Sequence, residues 1–356
     1  MKNIEILTKE AISLLKALIE TPSFSSEEDK TAVLIENWFA VNDIPFEREN
    51  NNIWAFNKHF DAAKPTLLLN SHHDTVRPNQ AYNKDPFKAI IENDKLYGLG
   101  SNDAGGCLVS LLATFVHFYD LPNLTHNIVI VASAEEESSG KNGLNSVLKS
   151  LPELECAIVG EPTLMQLATA EKGLLVLDVK IKGTPSHAAH QNNDNAIYKT
   201  IPVMEWFKNY NFEKVSDQLG PVKMTVTQVN AGKQHNVVPS ECDIVVDIRV
   251  NDCYTNHEVL AIVKEHVTAE VTPRSMNLSS SFIPEHHGLV QAGIALGRTT
   301  YGSPTLSDQS VLSCKSLKLG PGDTLRSHSA DEFIYLNEIE EGIDLYIKIL
   351  SDFLKQ

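Results

Sequence analysis

Three short, continuous apolar segments constrain the fold of this chain more than any other feature of its sequence. They lie at residues 66–70, 127–133 and 156–159, and a long apolar segment of helical character, 105–119, separates the first two. Strands that are apolar along their whole length are typical of parallel sheets buried on both faces. This order predicts an α/β domain whose mostly parallel sheet is flanked by helices. Apolar residues at helical spacing predict further helices at 6–19, 27–41, 284–296 and 336–354.

The middle of the chain has a different pattern, in which strands alternate apolar and polar side chains and lie between amphipathic helices. Such alternation is typical of strands that bury only one face. These strands and helices are predicted at 174–183, 195–209, 223–229, 242–250, 256–268 and 269–274. We therefore predict a catalytic domain formed by residues 1–172 and 276–356, with an α+β lid domain of residues 173–275 inserted into it.

The formal net charge of −16 and the scattered cysteines exclude several classes of protein. An acidic surface repels nucleic acid and anionic membranes, so we expect neither as a partner. None of the five cysteines has the short spacing of a thiolate metal site or a redox motif, which indicates free thiols in a reducing compartment. The first residues carry acids and lack the apolar core of a signal peptide, so we expect a cytoplasmic protein.

Residues suited to binding a metal follow each of the predicted parallel strands. His72 and Asp74 follow the first strand, the glutamate run 135–137 follows the second, and Glu161 follows the third. Asp103 precedes the helix that lies between the first two strands. Because ligands in open α/β sheets bind beyond the carboxyl ends of the strands, we expect these groups to converge. Imidazole and carboxylate are ligands of zinc, so the sequence predicts a zinc centre with a position left open for water.

Each of these residues also has an ordinary structural explanation when it is taken alone. A lone histidine is more often a hydrogen-bonded core residue, Asp103 is suited to capping a helix, and a glutamate run is suited to a solvated surface. Their joint placement favours a metal centre, because such a site needs several of these groups in one pocket. Asp74 lies two residues after His72 on the same side of an extended chain, so we expect it to orient the imidazole through its second nitrogen.

Eight short motifs are spread along the chain. They are Ser71-His72-His73-Asp74, Gly98-Leu99-Gly100-Ser101-Asn102-Asp103, Glu135-Glu136-Glu137, Gly160-Glu161-Pro162-Thr163, Gly183-Thr184-Pro185-Ser186-His187-Ala188-Ala189, Asn236-Val237-Val238-Pro239, Gly320-Pro321-Gly322-Asp323 and His328-Ser329-Ala330-Asp331-Glu332. Together they resemble the motifs of the M20 metallopeptidases and, within them, of the acetylornithine and acetyllysine deacetylases. Any one motif is weak, but the combination is highly specific and extends over essentially the whole chain.

This resemblance implies a binuclear centre with two zinc ions. One ion is implied to be bound by His72 and Glu161, and the other by Glu137 and His328. Asp103 is implied to bridge the two ions, and a cis peptide bond is expected directly after it. Cobalt and manganese stay open as alternative metals, because affinity and availability both decide which metal is bound.

The glutamate run leaves two frames open for the general base and the metal ligand. The family usually has an acid followed by two glutamates, so the pair here is either Glu135-Glu136 or Glu136-Glu137. A glycine commonly stands six residues after the metal-binding glutamate, and Gly143 lies six residues after Glu137. This spacing favours Glu137 as the ligand and Glu136 as the general base, which takes a proton from water and hands it to the leaving amine.

Three residues of the predicted lid receive their roles from the resemblance alone. His187, which a partner subunit often supplies in this family, is implied to stabilise the tetrahedral oxyanion. Asn236 and Arg249 are implied to bind the substrate carboxylate, for which a planar guanidinium is well suited. The resemblance also implies a homodimer that forms through this compact lid.

The implied activity is hydrolysis of a linear amide that removes the acyl group from an N-acyl amino acid. N-acetylornithine, a substrate of arginine biosynthesis, is the best single candidate. The acyl group, acetyl or succinyl, and the amino acid, ornithine, citrulline or lysine, stay open. Enzymatic alternatives are desuccinylation of succinyl-ornithine or succinyl-diaminopimelate, and dipeptidase activity. A non-catalytic binding protein is disfavoured, because all five ligand positions and the general base are present.

Overall fold

A computed structural model describes residues 2–355, which divide into two compact units. The first unit contains the chain up to Thr169, then Phe282–Tyr301, and the chain from Ser307 onwards. The second unit contains Ala170–Ser281 and Gly302–Leu306. Within the described residues, no helix combines the length and the apolar character that crossing a membrane requires.

The helices and strands follow one another in the alternating order that the sequence predicts for the first part of the chain. The α-helices are α1 (Ile4–Ile19), α2 (Asp29–Val41), α3 (Gly106–Phe118), α4 (Leu144–Val147), α5 (Ala196–Asn209), α6 (Asn256–His266), α7 (Gly288–Ala295) and α8 (Leu336–Phe353). The strands are β1 (Glu47–Glu49), β2 (Asn52–Phe56), β3 (Thr66–His72), β4 (Ile90–Glu92), β5 (Lys95–Tyr97), β6 (Asn127–Ser133), β7 (Leu154–Val159), β8 (Leu167–Glu171), β9 (Gly173–Lys182), β10 (Ser186–His187), β11 (Lys223–Ala231), β12 (Val237–Val238), β13 (Glu241–Val250), β14 (Glu270–Pro273), β15 (Ser281–Phe282), β16 (Thr300–Ser303), β17 (Lys315–Lys318) and β18 (Phe333–Tyr335).

The large sheet has the strand order β1-β2-β6-β3-β7-β17-β8-β15, and β16 also pairs with β8. β3 pairs in parallel with β6 and with β7, and β7 pairs in parallel with β17. Antiparallel pairs lie towards the edges, between β2 and β6 and between β17 and β8. A sheet that is mostly parallel at its centre confirms the predicted α/β class.

Alternate residues of β3 point into two cores, one on each face of the sheet. Leu67 and Leu69 belong to the larger core, which also contains Leu15 of α1 and Phe115 of α3. Leu68 belongs to a smaller core on the other face. Burying one leucine side chain contributes about 1.5–3 kcal/mol, so covering both faces fixes the central strands firmly. The polar residues at their ends are thereby held on a rigid support.

The register of the central strands brings their carboxyl ends to one edge of the sheet. His72 at the end of β3 pairs with Ser133 at the end of β6, and Asn70 pairs with Val159 at the end of β7. The chain continues from Ser133 into the glutamate run, and from Val159 towards Glu161. The fold thus delivers ligand-type side chains from separate strands to one place, as expected for an open α/β sheet.

The second unit is built around a four-stranded antiparallel sheet with the order β11-β13-β9-β14. The side chains of β9 and β13 alternate between buried and accessible positions along each strand. Their buried residues, such as Leu177 and Val246, share a core with Phe207 of α5 and Val259 of α6. This pattern agrees with the one-sided burial that the alternating sequence indicates.

Candidate metal centre

His72 lies at the end of β3 and is 1% exposed. Its Nδ1 donates to the backbone carbonyl of Asp74 at 2.9 Å, and the Oδ1 of the same aspartate lies 3.4 Å away. Because Nδ1 is engaged in this way, Nε2 is the ring nitrogen left to bind a cation, and this buried atom has no hydrogen-bond partner in the described part of the chain. A buried imidazole nitrogen without a partner fits the role of a metal ligand.

Asp103 directs its two carboxylate oxygens to two different histidines. Its Oδ1 lies 3.4 Å from Nε2 of His72, and its Oδ2 lies 3.7 Å from Nε2 of His328. The peptide bond between Asp103 and Ala104 is cis, which confirms the predicted geometry. A carboxylate with one oxygen towards each of two imidazoles is suited to bridge two cations.

Two overlapping groups of side chains have donor atoms close enough to hold a metal ion. One group is His72, Asp103 and Glu137, and the other is His72, Glu136 and Glu161. The nearest oxygens of Glu161 and Glu136 lie 3.7 Å and 3.9 Å from Nε2 of His72. Glu136 is therefore close to the same nitrogen as the predicted ligands.

His328 extends the first of these groups and is its most accessible member, with 54% of its side chain exposed. Its Nε2 lies 3.0 Å from Oε2 of Glu137. The hydrogen bond to Glu137 raises the pKa of His328 to about 9, although partial burial opposes this shift. The structure thus brings the five predicted metal ligands together around His72 and Asp103.

Negative charge accumulates in this pocket. Burial raises the pKa of Glu136 well above its usual range, and the neighbouring carboxylates add to the shift while His72 opposes it. Burial by itself lowers the pKa of His72, but the two nearby aspartates outweigh it and raise this pKa. Burial also raises the pKa of Asp308, a further acid near the centre, to about 6. Carboxylates that repel one another in this way are well suited to bind cations.

The three glutamates of the run have different partners. Glu135 has a φ of +55°. Its carboxylate accepts hydrogen bonds from the Ser26 hydroxyl at 3.0 Å and from the backbone and side-chain nitrogens of Asn142 at 3.1 and 3.0 Å. Glu136 and Glu137 instead approach the two histidines. Because Glu135 is engaged in holding the loop, this arrangement supports the frame in which Glu136 and Glu137 act at the metal centre.

Asp74 orders the glutamate loop as well as His72. Its carboxylate accepts the backbone N–H groups of Glu136 and Glu137 at 3.0 and 3.2 Å and the Ser25 hydroxyl at 2.6 Å. Burial opposes ionisation, but hydrogen bonds from His72 and Ser25 keep the pKa of Asp74 below its usual value. From the sequence we predicted only that Asp74 contacts His72. In that contact, Nδ1 of His72 lies closer to the backbone carbonyl oxygen of Asp74 than to its carboxylate.

Two buried carboxylates beside the centre were not predicted from the sequence. Glu332 accepts three backbone N–H groups of the turn at residues 100–103. Asp308 accepts the hydroxyl of Ser133 at 2.6 Å. The only sequence feature that could have indicated a role for Glu332 is its place in the motif that begins at His328. Asp308 lies in an ordinary polar segment, and no sequence feature indicates a role for it.

The three predicted lid residues belong to the second unit. His187 lies in β10, and its Nδ1 accepts the backbone N–H of Ala189 at 3.1 Å. Asn236 precedes β12, the strand that pairs with β10. Arg249 forms a two-point ion pair with Asp247, with distances of 2.9 and 3.1 Å. The guanidinium that was predicted to bind substrate is thus engaged with an acid of its own strand.

Comparison with known sequences identifies a matching family model and several similar proteins. A family model described as peptidase family M20/M25/M40 matches residues 68–352. The chain is 26% identical over 376 residues to succinyl-diaminopimelate desuccinylase of Blochmanniella pennsylvanica, covering 96% of this chain and 98% of the relative. It is also 26% identical over 380 residues to acetylornithine deacetylase of Shigella sonnei, covering 96% of this chain and 97% of the relative.

Solved structures with the same fold include two peptidases. An M20-family metallo-carboxypeptidase from Sulfolobus solfataricus has a TM-score of 0.77 at 16% identity, covering 98% of this chain and 100% of that one. A dinuclear metal-binding peptidase of the M20 family from Bacillus subtilis has a TM-score of 0.74 at 15% identity, covering 99% of each chain. At these identities the similarity shows a shared fold.

Proposed function

Because the chain belongs to peptidase family M20/M25/M40, as its motifs predicted, we propose that this hydrolase uses two zinc ions to remove the acyl group from an N-acyl amino acid. The observation that carries the proposal is Asp103, whose two carboxylate oxygens face the imidazoles of His72 and His328. Glu161 lies beside the first imidazole and Glu137 beside the second. These five residues form two half-sites that share one carboxylate.

The residues present fit a pair of zinc ions. They offer imidazole nitrogen and carboxylate oxygen, and the buried Nε2 of His72 has no hydrogen-bond partner in the described part of the chain. We assign His72 and Glu161 to one ion, Glu137 and His328 to the other, and Asp103 to both. When bound, the two ions supply Lewis-acid activation of water and of the scissile carbonyl. Cobalt and manganese are the alternative metals.

Glu136 is the proposed general base. Burial raises the pKa of its carboxyl group, which improves its ability to accept a proton from water near neutral pH. The water oxygen adds to the carbonyl carbon, and Glu136 returns the proton to the amine nitrogen as the C–N bond breaks. The products are a free amino acid and a small carboxylic acid. Asp74 supports this chemistry by holding the N–H of Glu136 and the ring of His72.

The lid residues are proposed to act on the substrate. Since Nδ1 of His187 accepts the N–H of Ala189, the neutral imidazole carries its proton on Nε2, where it can donate to an oxyanion. Asn236 and Arg249 are proposed to bind the substrate carboxylate. Arg249 would then give up its ion pair with Asp247 and form one with the substrate. Both partners are carboxylates, so the guanidinium makes the same kind of contact before and after.

N-acetylornithine is the proposed substrate, which places the reaction in arginine biosynthesis in the cytoplasm. We expect purified, zinc-loaded enzyme to hydrolyse it with a kcat/KM about tenfold or more above that for N-acetyllysine, which has one more methylene. The measurement is a panel of acetyl and succinyl derivatives of ornithine, citrulline and lysine, with succinyl-diaminopimelate and a dipeptide added.

The same panel tests the alternatives. A preference for succinyl-diaminopimelate would transfer the assignment to desuccinylation, and a preference for the dipeptide would make the enzyme a dipeptidase. The two relatives with equal identity are named as a succinyl-diaminopimelate desuccinylase and an acetylornithine deacetylase. The panel must therefore contain both succinyl-diaminopimelate and N-acetylornithine. Absence of hydrolysis across the whole panel with zinc bound would refute the deacylase proposal.

We also propose a homodimer that forms through the second unit. β11 is an edge strand of the antiparallel sheet, and most of its side chains are exposed. Beside it, α5 exposes Tyr198 and Ile201, with 69% and 52% of their surfaces accessible. A groove of about 460 Å³ lined by Met204, Met224 and Val226 lies between α5 and β11. An unpaired strand edge next to apolar residues favours antiparallel pairing with a second copy about a twofold axis.

Replacing Tyr198 and Ile201 together by glutamate is expected to convert the dimer into a monomer, because charges would be buried at the contact. Sedimentation equilibrium of the wild type and the double variant measures this change. Val41→Glu is the matched control, since Val41 is an apolar residue of α2 that is 82% exposed. If His187 completes a neighbouring site, turnover should fall together with the dimer. A wild-type enzyme that is strictly monomeric and fully active would end this proposal.

A further inference from the structure

We propose that Glu332 is a positioning residue that holds Asp103 where its two oxygens can face both histidines, an inference that rests on the proposed binuclear function. The Glu332 side chain is 1% exposed. Its Oε1 accepts the backbone N–H groups of Asn102 at 2.8 Å and Asp103 at 2.9 Å. Its Oε2 accepts the backbone N–H of Gly100 at 3.1 Å.

The turn that carries Asp103 depends on this carboxylate because its own backbone leaves these N–H groups without helical partners. Gly100 has a φ of +74°, and Asp103 and Ala104 have non-helical backbone angles. N–H groups that converge in such a turn form a concavity suited to an anion. Glu332 fills it from a distant part of the chain. Without the carboxylate, the buried N–H groups would lose their acceptor and the turn would be free to rearrange.

Glu332 also connects this turn to the segment that bears His328. It lies four residues after His328 and directly before β18, which pairs with β5. Its backbone carbonyl accepts the N–H of Gly98 at 3.0 Å. The side chain therefore fixes the Asp103 turn, while the backbone fixes the segment that supplies the second histidine. Glu332 thus connects the Asp103 turn with the His328 segment through both its side chain and its backbone.

Asp331 provides a matched control for this role. It is the adjacent acid, and its carboxylate also accepts two backbone N–H groups, those of Asn83 and Lys84, both at 2.8 Å. A third hydrogen bond comes from the Asn83 side chain at 3.0 Å. The segment that Asp331 holds carries none of the proposed metal ligands. A general loss of loop order would affect both acids, whereas a role in positioning Asp103 is specific to Glu332.

The test compares zinc binding to the wild type, Glu332→Gln and Asp331→Asn. Glutamine keeps the size of the side chain but turns an N–H₂ group towards one of the backbone N–H groups. We expect the wild type to bind two zinc ions per chain and Glu332→Gln to lose about 10- to 100-fold in affinity for zinc, as is typical when a group that orients a ligand is removed. Asp331→Asn should keep the wild-type affinity. In cobalt-substituted protein, the visible absorption bands should shift for Glu332→Gln only.

The outcomes separate the inference from the proposed function. A wild type that does not bind two zinc ions would refute the binuclear function and this role with it. Two bound ions in the wild type, with unchanged zinc affinity and cobalt spectrum in Glu332→Gln, would overturn the role of Glu332 alone. Equal losses in both variants would overturn it as well. If circular dichroism shows that Glu332→Gln does not fold, Glu332→Asp replaces it, since the carboxyl group is kept but its reach is shorter, and we expect the same losses.

Discussion

Replacing Glu136 by glutamine is expected to stop proton transfer while both zinc ions stay bound. Glutamine keeps the shape of the side chain but cannot accept a proton from water. Loss of a general base typically lowers turnover about 10²–10⁴-fold, and the loss is greater when the same group also protonates the leaving amine. Glu137→Gln should instead weaken the ion shared with His328, whose Nε2 lies 3.0 Å from the Glu137 carboxylate. Added zinc should then restore part of the activity.

Glu135→Gln is the matched control for both variants. The Glu135 carboxylate accepts hydrogen bonds from Ser26 and Asn142. Its loss is expected to cost about 1–3 kcal/mol of stability while metal content is kept and turnover changes little. Zinc content and turnover are measured together on the three variants. If Glu135→Gln abolishes turnover with its metals retained, and Glu136→Gln loses metal, the frame is shifted by one residue and Glu136 replaces Glu137 as the ligand.

The central strands could be predicted because burial on both faces leaves a local signature in the sequence. The predicted segment 127–133 coincides with β6. β3 continues two residues beyond the predicted end at Asn70, as far as His72, because Ser71 and His72 still pair with Ala132 and Ser133 of β6. The three-residue strands β4, β5 and β18 were not predicted, since strands this short form through their partners and carry little local signal.

The candidate ligands could be predicted for a similar reason, because each follows an identifiable strand or belongs to a motif. Their supporting residues could not. Asp308 contacts Ser133 across 175 positions of the chain, and Glu332 contacts Asn102 across 230. Neither contact has a local pattern, because it exists only once the sheet and the turns around it have formed. The Arg249–Asp247 ion pair could not be predicted either. The family resemblance suggests that Arg249 contacts the substrate, but it does not indicate that the guanidinium is paired with Asp247.

Removing the metal ions with a chelator is expected to abolish turnover and to leave a native state whose stability falls from about pH 4 to about pH 8. The activity depends on the cations because Glu136 alone can move a proton but cannot polarise the scissile amide. The stability depends on them because, in their absence, the buried carboxylates repel one another. Activity and stability both depend on the metal ions because many acidic side chains lie close together around Asp103.

The direction of the pH effect follows from acids whose pKa is higher in the folded state than in the unfolded state. Burial raises the pKa of Asp308 from 3.8 to about 6, that of Glu332 from 4.5 to about 8 and that of Glu136 well above 4.5, and these shifts together outweigh the opposite one at His73, whose buried imidazole has its pKa lowered from 6.5 to about 4. Between its unfolded and its folded pKa, each of these acids is protonated more often in the native state than in the unfolded state. The stability that it contributes is therefore greatest at low pH and is lost as the pH rises through its folded pKa. For Asp308 this loss is on the order of 3 kcal/mol. His328, whose pKa is raised to about 9, loses stability in the same direction above its unfolded value of 6.5.

Zinc should reverse this behaviour, because it neutralises the carboxylates and binds only the native state. Ligand at a hundred times its Kd stabilises by about 2.7 kcal/mol, and zinc affinity rises with pH as the ligands lose protons. Urea unfolding of metal-free and zinc-loaded protein at three pH values measures the change. Asp308→Asn is the control that removes one titrating group, so its metal-free form should lose on the order of 3 kcal/mol of the pH dependence between about pH 4 and pH 6. Turnover that survives complete metal removal, or a metal-free protein that becomes more stable between pH 5 and pH 8, would contradict the metal centre as a source of both activity and stability. A slope unchanged in Asp308→Asn would instead assign the effect to Glu136, Glu332 and the two histidines.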